Sequence, residues 1–364
     1  MAKKTSKIED NDQTVAALCK KYGNIIESGT KVLESLEKYD VISIGPALDM
    51  ALGGGLREGQ CVVMTGDPKT GKTTTALYAA AKAQARGKKV LYLNTEGRLT
   101  KENFRGIKGL DIDAIQIVQA TDDTPIVSAE TYLNIMEKLI KEEPNLFLIC
   151  DSTSNMVPQD EIDGEIRTGV RNALPRLLSM FFKRISGDVS RMKTIAVFIT
   201  HNIANTGGSK FAPTKMADCG NMLQFQAGTN MVITHRGKWE VPKESGNHVG
   251  QVANWQIRTS AAGGRPMGTA ASWIRYGIGI DEAQEVAQIA NEFAFVTAKG
   301  AWYTCQYLID NKDNPIVQKW LKDNNAEDVE KAFKFQGMEK LTSFFSENPE
   351  MLEFVYDGIK EILT

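Results

Sequence analysis

The sequence predicts an α/β fold: a mostly parallel sheet covered by helices on both faces, with a short N-terminal helical segment and a smaller α-rich C-terminal domain. Three observations carry this expectation. From Gln60 to Thr200, short apolar runs alternate with helical stretches, the pattern of strands buried on both faces. A glycine-bearing turn, Gly66–Thr73, stands between the first of these runs and the first long helix. The third is the division of charge. Residues 281–364 carry 16 Asp or Glu and 8 Lys, a net of −8, although the whole chain of 364 residues carries only −2. The remainder is therefore basic by 6 charges, a dipolar arrangement suited to a body that meets a polyanion and an appendage that repels one.

The elements follow in order. Residues 1–40 read as polar helix with an apolar stripe of Val15, Leu18, Ile25 and Ile26. Gly53, Gly54 and Gly55 mark a turn. CVVMT reads as a buried strand and GKTTTALYAAAKAQARG as a helix closed by Gly87. KVLYLN and AIQIV are the next strands. Ser128 then caps a helix whose apolar face is Tyr132, Met136, Leu139 and Ile140. LFLIC and TIAVFIT are further strands, and strand-like runs recur at 229–234, 252–259 and 271–276. From Asp281 onward the text is helical and acidic. The expected division is 1–40 as an oligomerisation segment, 41–280 as the core and 281–364 as an acidic domain.

Composition excludes several classes. Hydrophobic residues make up 42% and charged residues 24%, so wholesale disorder is not expected. No apolar run approaches the ~20 residues of a membrane-spanning helix, and the polar start MAKKTSKIEDNDQ lacks a secretory signal's apolar stretch. Cys19, Cys61, Cys150, Cys219 and Cys305 are odd in number and widely spaced, which speaks against a disulfide framework or a CxxC metal site and for a reducing cytoplasm.

The chemistry concentrates in one run. Gly66, Asp67, Pro68, Lys69, Thr70, Gly71, Lys72 and Thr73 match G-x-x-x-x-G-K-[ST], with Thr74 following. Such a loop turns backbone N–H groups toward phosphate oxygens at the positive end of a helix. Lys72 would reach the terminal phosphates, and the Thr73 hydroxyl would hold Mg²⁺. Asp151, ending LFLICD, is the expected second Mg²⁺ residue. Glu96, ending the strand in KVLYLNTE, emerges at the same sheet edge and is placed to activate water. The cofactors implied are ATP and Mg²⁺.

With these segments in order, the chain resembles the RecA family of DNA strand-exchange recombinases. SIGPALDMALGGG, GDPKTGKTT, YLNTEG and ICDSTSN occur at that family's spacings. DGEIRTGVRNALPRLLSMFFKRI is similar to its first DNA-binding loop and the helix after it, and FITHN, CGNMLQF and AKGAWY also have counterparts. The likeness runs from Val41 to Tyr303 and fits best a phage recombinase of the UvsX type or a divergent bacterial relative.

The resemblance implies a RecA-like P-loop ATPase that assembles as a helical filament on single-stranded DNA and pairs it with homologous duplex DNA. Single-strand-binding and loading proteins are implied as partners, a membrane is not, and the location implied is the cytoplasm of a bacterium or phage-infected host. It places Glu96 as the catalytic glutamate and Asp151 at the metal. His201 stands where bacterial members have a glutamine that senses the γ-phosphate, and Phe104 stands near an adenine-stacking aromatic. The implied DNA loops cover Met156–Arg171 and Asn202–Gly220, with Arg171, Arg176, Lys183, Arg184, Lys210, Lys215, Gly220 and Asn221 as candidate contacts. Arg258 keeps one of two positive charges that cross the subunit interface in the family, while Ser260 replaces the second, and Arg265 is a possible substitute. Two other readings stand beside this one: an ATP-binding mediator without efficient hydrolysis, and a ring helicase.

Overall fold

The computed structural model describes residues 14–23, 26–164, 173–204, 215–217, 221–242 and 244–363. It divides into two compact units, Met1–Asp40 and Val41–Thr364. The first holds a helix at 14–22 (α1) and Gly29–Leu36 (α2). Ser28 caps α2 by accepting from the Lys31 N–H, satisfying one of the donors that a helix start leaves over. Val15, Leu18, Ile26, Val32, Leu33 and Leu36 are exposed.

The second unit opens with a small antiparallel pair, Val41–Ile42 (β1) with Leu56–Arg57 (β2), flanking the helix Pro46–Leu52 (α3). The main elements then alternate, strand with helix, except for two successive helices before the last strand. They are Gln60–Gly66 (β3), Lys72–Ala85 (α4), Lys89–Asn94 (β4), Lys101–Phe104 (α5), Ile115–Val118 (β5), Ala129–Glu142 (α6), Leu146–Asp151 (β6), Gln159–Asp163 (α7), Ala173–Arg191 (α8) and Ile195–Ala204 (β7). Lys215–Ala217 (β8) and Asn221–Gln226 (α9) precede three long strands, Thr229–Glu240 (β9), His248–Thr259 (β10) and Gly268–Arg275 (β11), and a short one, Gly279–Ile280 (β12).

The large sheet runs β12-β11-β10-β9-β3-β7-β6-β4-β5, with β8 paired to β7 off this path. From β9 to β5 every neighbour is parallel, and from β9 to β12 every neighbour is antiparallel. The helices of the alternating part make the crossovers that parallel pairing requires, whereas β9 to β12 are joined by short turns that can only reverse direction.

Strand side chains divide between two cores by their period of two. Val62, Met64, Phe147, Ile149, Ile195, Val197 and Ile199 face α4 and its neighbours. Cys61, Val63, Leu148, Cys150, Ala196 and Phe198 face α6 and α8, with Met136, Ile140, Phe182 and Ile185. Burial on both faces explains why these strands read as unbroken apolar runs. A fully buried Phe such as Phe198 stabilises the fold by about 1.5–3 kcal/mol.

Residues after Asp281 build a third core around Val286, Leu308, Val317, Phe333, Leu341, Phe345, Val355 and Ile359. Its helices are Glu282–Glu292 (α10), Gln306–Asp310 (α11), Pro315–Asp323 (α12), Val329–Ala332 (α13), Met338–Glu347 (α14) and Pro349–Leu363 (α15). The text reads as helix throughout, but the structure inserts an antiparallel sheet of Val296–Lys299 (β13), Trp302–Cys305 (β14) and Lys334–Gln336 (β15). Strands of 3 or 4 residues are too short to display a period. Trp302 is 43% exposed, and the Lys334 ammonium lies over its ring at 5.3 Å.

Two carboxylates are buried where this third core meets α3. Asp49 accepts from the Ile44 N–H at 2.8 Å and from the Ser43 hydroxyl. Glu285 accepts from the Ala47 N–H at 3.0 Å, the Trp273 N–H at 2.9 Å and the Ser272 hydroxyl at 2.8 Å. Burial outweighs these bonds and pushes each carboxyl up to about 7. The folded chain therefore retains protons that the unfolded chain releases above about pH 4–5. Stability from these groups is fully present below that range and is lost as pH rises through 7. In Glu285→Gln the residue is neutral throughout, so the urea midpoint falls less between pH 5 and 7.5 than in the parent, a difference on the order of 2–3 kcal/mol. Parallel pH profiles for the two proteins would remove this account.

Candidate functional site

Parallel register brings the carboxyl ends of four strands into one row. Gly66 of β3 lies opposite His201 of β7, Ile199 of β7 opposite Asp151 of β6, and Asp151 opposite Asn94 of β4. Ligands of open parallel sheets bind at this edge because the loops from strand to helix converge there. A cleft of ≈ 700 Å³ occupies it, lined among others by Lys69, Thr73, Glu96, Asp151, His201 and Arg236, a size typical of small-molecule sites.

The loop between β3 and α4 is closed by its own side chains. Thr70 Oγ1 donates to the Asp67 carbonyl at 2.8 Å. Lys72 Nζ donates to the carbonyls of Gly66 and Asp67 at 2.9 and 2.8 Å. Gly71, the N-cap of α4, has φ 105° and meets Ile274 so closely that an added Cβ would lie 2.3 Å from its Cδ1. Only glycine satisfies both conditions. Burial lowers the Lys72 ammonium to about 8, against the pull of Asp151, Glu96 and Asp67. The ammonium is held by neutral carbonyls in a place where an anion would relieve its desolvation.

Thr73 Oγ1 donates to Asp151 Oδ2 at 2.6 Å, and the Tyr92 hydroxyl donates to the same oxygen at 2.7 Å. Burial raises the Asp151 carboxyl despite both bonds. Glu96 is oriented from two sides, since Ser152 Oγ donates to its Oε1 at 3.0 Å and His201 Nε2 lies 2.6 Å from the same atom. The His201 hydrogen bond is the main cause that lowers the Glu96 carboxyl, so Glu96 is an anion near neutral pH. The His201 backbone N–H donates to Ser154 Oγ at 3.1 Å, which ties the end of β7 to the segment after β6.

The residues fit a nucleoside triphosphate with Mg²⁺. A buried ammonium stands over a glycine-bearing loop at a helix start, and a hydroxyl and a carboxylate already share a hydrogen bond that a divalent cation would replace. Among the described residues no group of three or more His, Cys, Asp and Glu could hold a metal ion. Among them too, no helix is long and apolar enough to cross a membrane.

Other sequence candidates are placed differently. Phe104 does not line the cleft: it packs partly buried against the core, edge-on to Tyr92 at 6.4 Å. The cleft is bounded there by Glu102, Asn103 and Arg105 and by Arg275, Tyr276 and Gly277, the last packed directly against Gly106. An apolar ring next to a buried tyrosine gains more from packing than from solvent. Arg258 donates to Gln224 Oε1 at 3.2 Å, and the Ser260 hydroxyl donates to the Leu52 carbonyl at 2.6 Å. Arg176 and Lys183 are exposed on α8, with Pro175 in its first turn. Arg184 is engaged by Glu137 of α6, with Nη2 at 2.8 Å from Oε1. Arg171, Lys210 and Gly220 lie outside the described residues, and Lys215 and Asn221 are described only as the first residues of β8 and α9.

The sequence did not single out Tyr92, Ser152, Arg236, Arg275 or Tyr276. Ser152 stood in the ICDSTSN segment without a role, and Arg275 and Tyr276 end the strand-like run 271–276. Arg275 Nε donates to Asp281 Oδ2 at 2.7 Å, and its guanidinium lies 4.4 Å from the Trp239 ring centroid. Asp281 caps α10, whose first residue, Glu282, accepts from Lys82 of α4 at 2.6 Å and from the Tyr78 hydroxyl. The start of the C-terminal helical region is thus bonded both to α4 and to the wall of the cleft.

Comparison with known proteins gives a consistent result. The pattern of the RecA N-terminal domain matches residues 10–281. Protein RecA of Acholeplasma laidlawii is 31% identical over 83% of this chain and 87% of its own length. Protein RecA of Acidiphilium cryptum is 30% identical over 83% of this chain and 84% of its own length. Protein RecA of Streptococcus agalactiae is 29% identical over 90% of this chain and 87% of its own length.

Proposed function

The chain belongs to the RecA family, and from that premise we propose that it is an ATP-hydrolysing recombinase that polymerises on single-stranded DNA and exchanges strands with a homologous duplex. The observation that carries the reading is the convergence of Lys72, Thr73, Asp151, Glu96 and His201 on one cleft at the carboxyl edge of a parallel sheet.

When bound, ATP with Mg²⁺ supplies the phosphoanhydride to be broken and a cation for its developing charge. Thr73 and Asp151 are the residues that would hold the metal, and Lys72, now on its loop carbonyls, would bind phosphate oxygens instead. Glu96, anionic and fixed by Ser152 and His201, accepts a hydrogen bond from the attacking water and orients it. His201 links this carboxylate to the strand that leads into the second DNA loop, so hydrolysis and DNA grip share one side chain. Arg171, Arg176, Lys183, Lys210 and Lys215, with Gly220 and Asn221 at the loop's end, would hold the DNA backbone. Phosphate contacts leave base edges free, so recognition falls to Watson–Crick pairing. The acidic domain would resist duplex entry until salt screens it.

One observation favours a second reading, a mediator that binds ATP without efficient turnover. Ser260 and Arg258, at the positions implied to reach a neighbour's nucleotide, are bonded within this chain. The test is ATP turnover with and without single-stranded DNA, together with electron microscopy and a strand-exchange assay. DNA-stimulated turnover, filaments and exchanged strands are expected. Binding without turnover supports the mediator, and unwinding without pairing supports a ring helicase.

A further inference from the structure

The cleft has a cation that neither motif nor resemblance assigns. β9 runs parallel to β3, with Val232 opposite Thr65, and continues alongside after β3 has ended in the phosphate loop. Arg236, four residues past that register point, donates from Nη1 to the Lys69 carbonyl at 3.2 Å. Lys69 is at the loop's apex with φ 61°, a left-handed conformation uncommon for a side-chain-bearing residue and favoured where its surroundings support it. The Arg236 bond is one such hold.

Arg236 also borders open space on both sides of the loop. It lines the ≈ 700 Å³ cleft and, with Asp67, Lys69 and His235, an adjoining one of ≈ 500 Å³. Its side chain is exposed, and a guanidinium offers five N–H donors in a planar fork, of which the Lys69 carbonyl takes one. A neutral carbonyl is a weaker acceptor than a phosphate oxygen, to which arginine binds in bidentate fashion.

We infer that Arg236 is a cis-acting sensor of the terminal phosphate. It exchanges the Lys69 carbonyl for phosphate oxygens when a triphosphate is present and returns to the carbonyl when a diphosphate remains. The loop apex is then held by the arginine in one state and by the nucleotide in the other. This inference rests on the cleft being a nucleotide site.

Calorimetric titration with Mg²⁺ and either a non-hydrolysable ATP analogue or ADP tests it in the full chain. Arg236→Ala is expected to weaken the triphosphate analogue at least tenfold and ADP less than twofold, with Arg236→Lys in between. Equal weakening of both nucleotides, or no weakening of either, overturns the sensor. A second readout needs no ligand: hydrogen exchange across residues 67–71 should accelerate in Arg236→Ala, and unchanged exchange removes the hold on Lys69. If the parent protein binds neither nucleotide, the nucleotide-site reading falls and this inference falls with it, a result distinct from selective failure of the variant.

Discussion

Glu96→Gln is expected to leave ATP binding intact and to slow turnover by about 10²–10⁴-fold, the usual contribution of a positioned general base. The substitution is nearly isosteric, and its remaining oxygen can still accept from Ser152 Oγ, now 3.0 Å from Oε1. What it removes is the negative charge that orients and receives a proton from water. Glutamate is already ionised near neutral pH, and the His201 hydrogen bond, the largest cause of the lowered Glu96 carboxyl, holds it in that state. Glutamine cannot recreate that state at any pH. Phosphate release in a single turnover on single-stranded DNA, beside a nucleotide titration, separates the two effects. Turnover within threefold of the parent would transfer the role of base to another group.

Consecutive residues and strand ends were the legible part of this site. A phosphate loop is continuous in the chain, so its eight residues announce themselves. Glu96 and Asp151 could be joined to it because parallel strands with helical crossovers must finish at one edge. Contacts made by register across distant strands were not legible. Tyr92 reaches Asp151 across 59 residues and Ser152 reaches Glu96 across 56, and no local pattern encodes either. Arg236 depends on how far β9 runs past β3, which apolar content cannot fix because that part of the strand is exposed. Phe104 packs partly buried, edge-on to Tyr92, and a lone aromatic in a short helix says nothing about which side is covered. The third core was read as helix since its strands are shorter than the period that would reveal them.

Lys72→Ala should abolish turnover and ATP-induced stabilisation while changing the unliganded fold by only about 1 kcal/mol. Two opposing effects set that small number. Removing the side chain ends the burial of a charge whose ionisation is lowered to about 8, which relieves the folded state. It also strips the Gly66 and Asp67 carbonyls of their donor at 2.9 and 2.8 Å, which costs on the order of 1–3 kcal/mol unless water enters the opened cleft. Water can enter, because the cleft is continuous with solvent, so the loss is moderated. The parent protein at one hundred times its ATP dissociation constant gains about 2.7 kcal/mol from mass action. The variant is expected to gain none, because Lys72, the buried ammonium that would meet the phosphates, is gone. Thermal unfolding with and without Mg·ATP reads both quantities in one series. A variant that keeps the ATP-induced shift would mean that the phosphates lie elsewhere on this edge, and the roles given to Thr73, Asp151 and Glu96 would have to move with them.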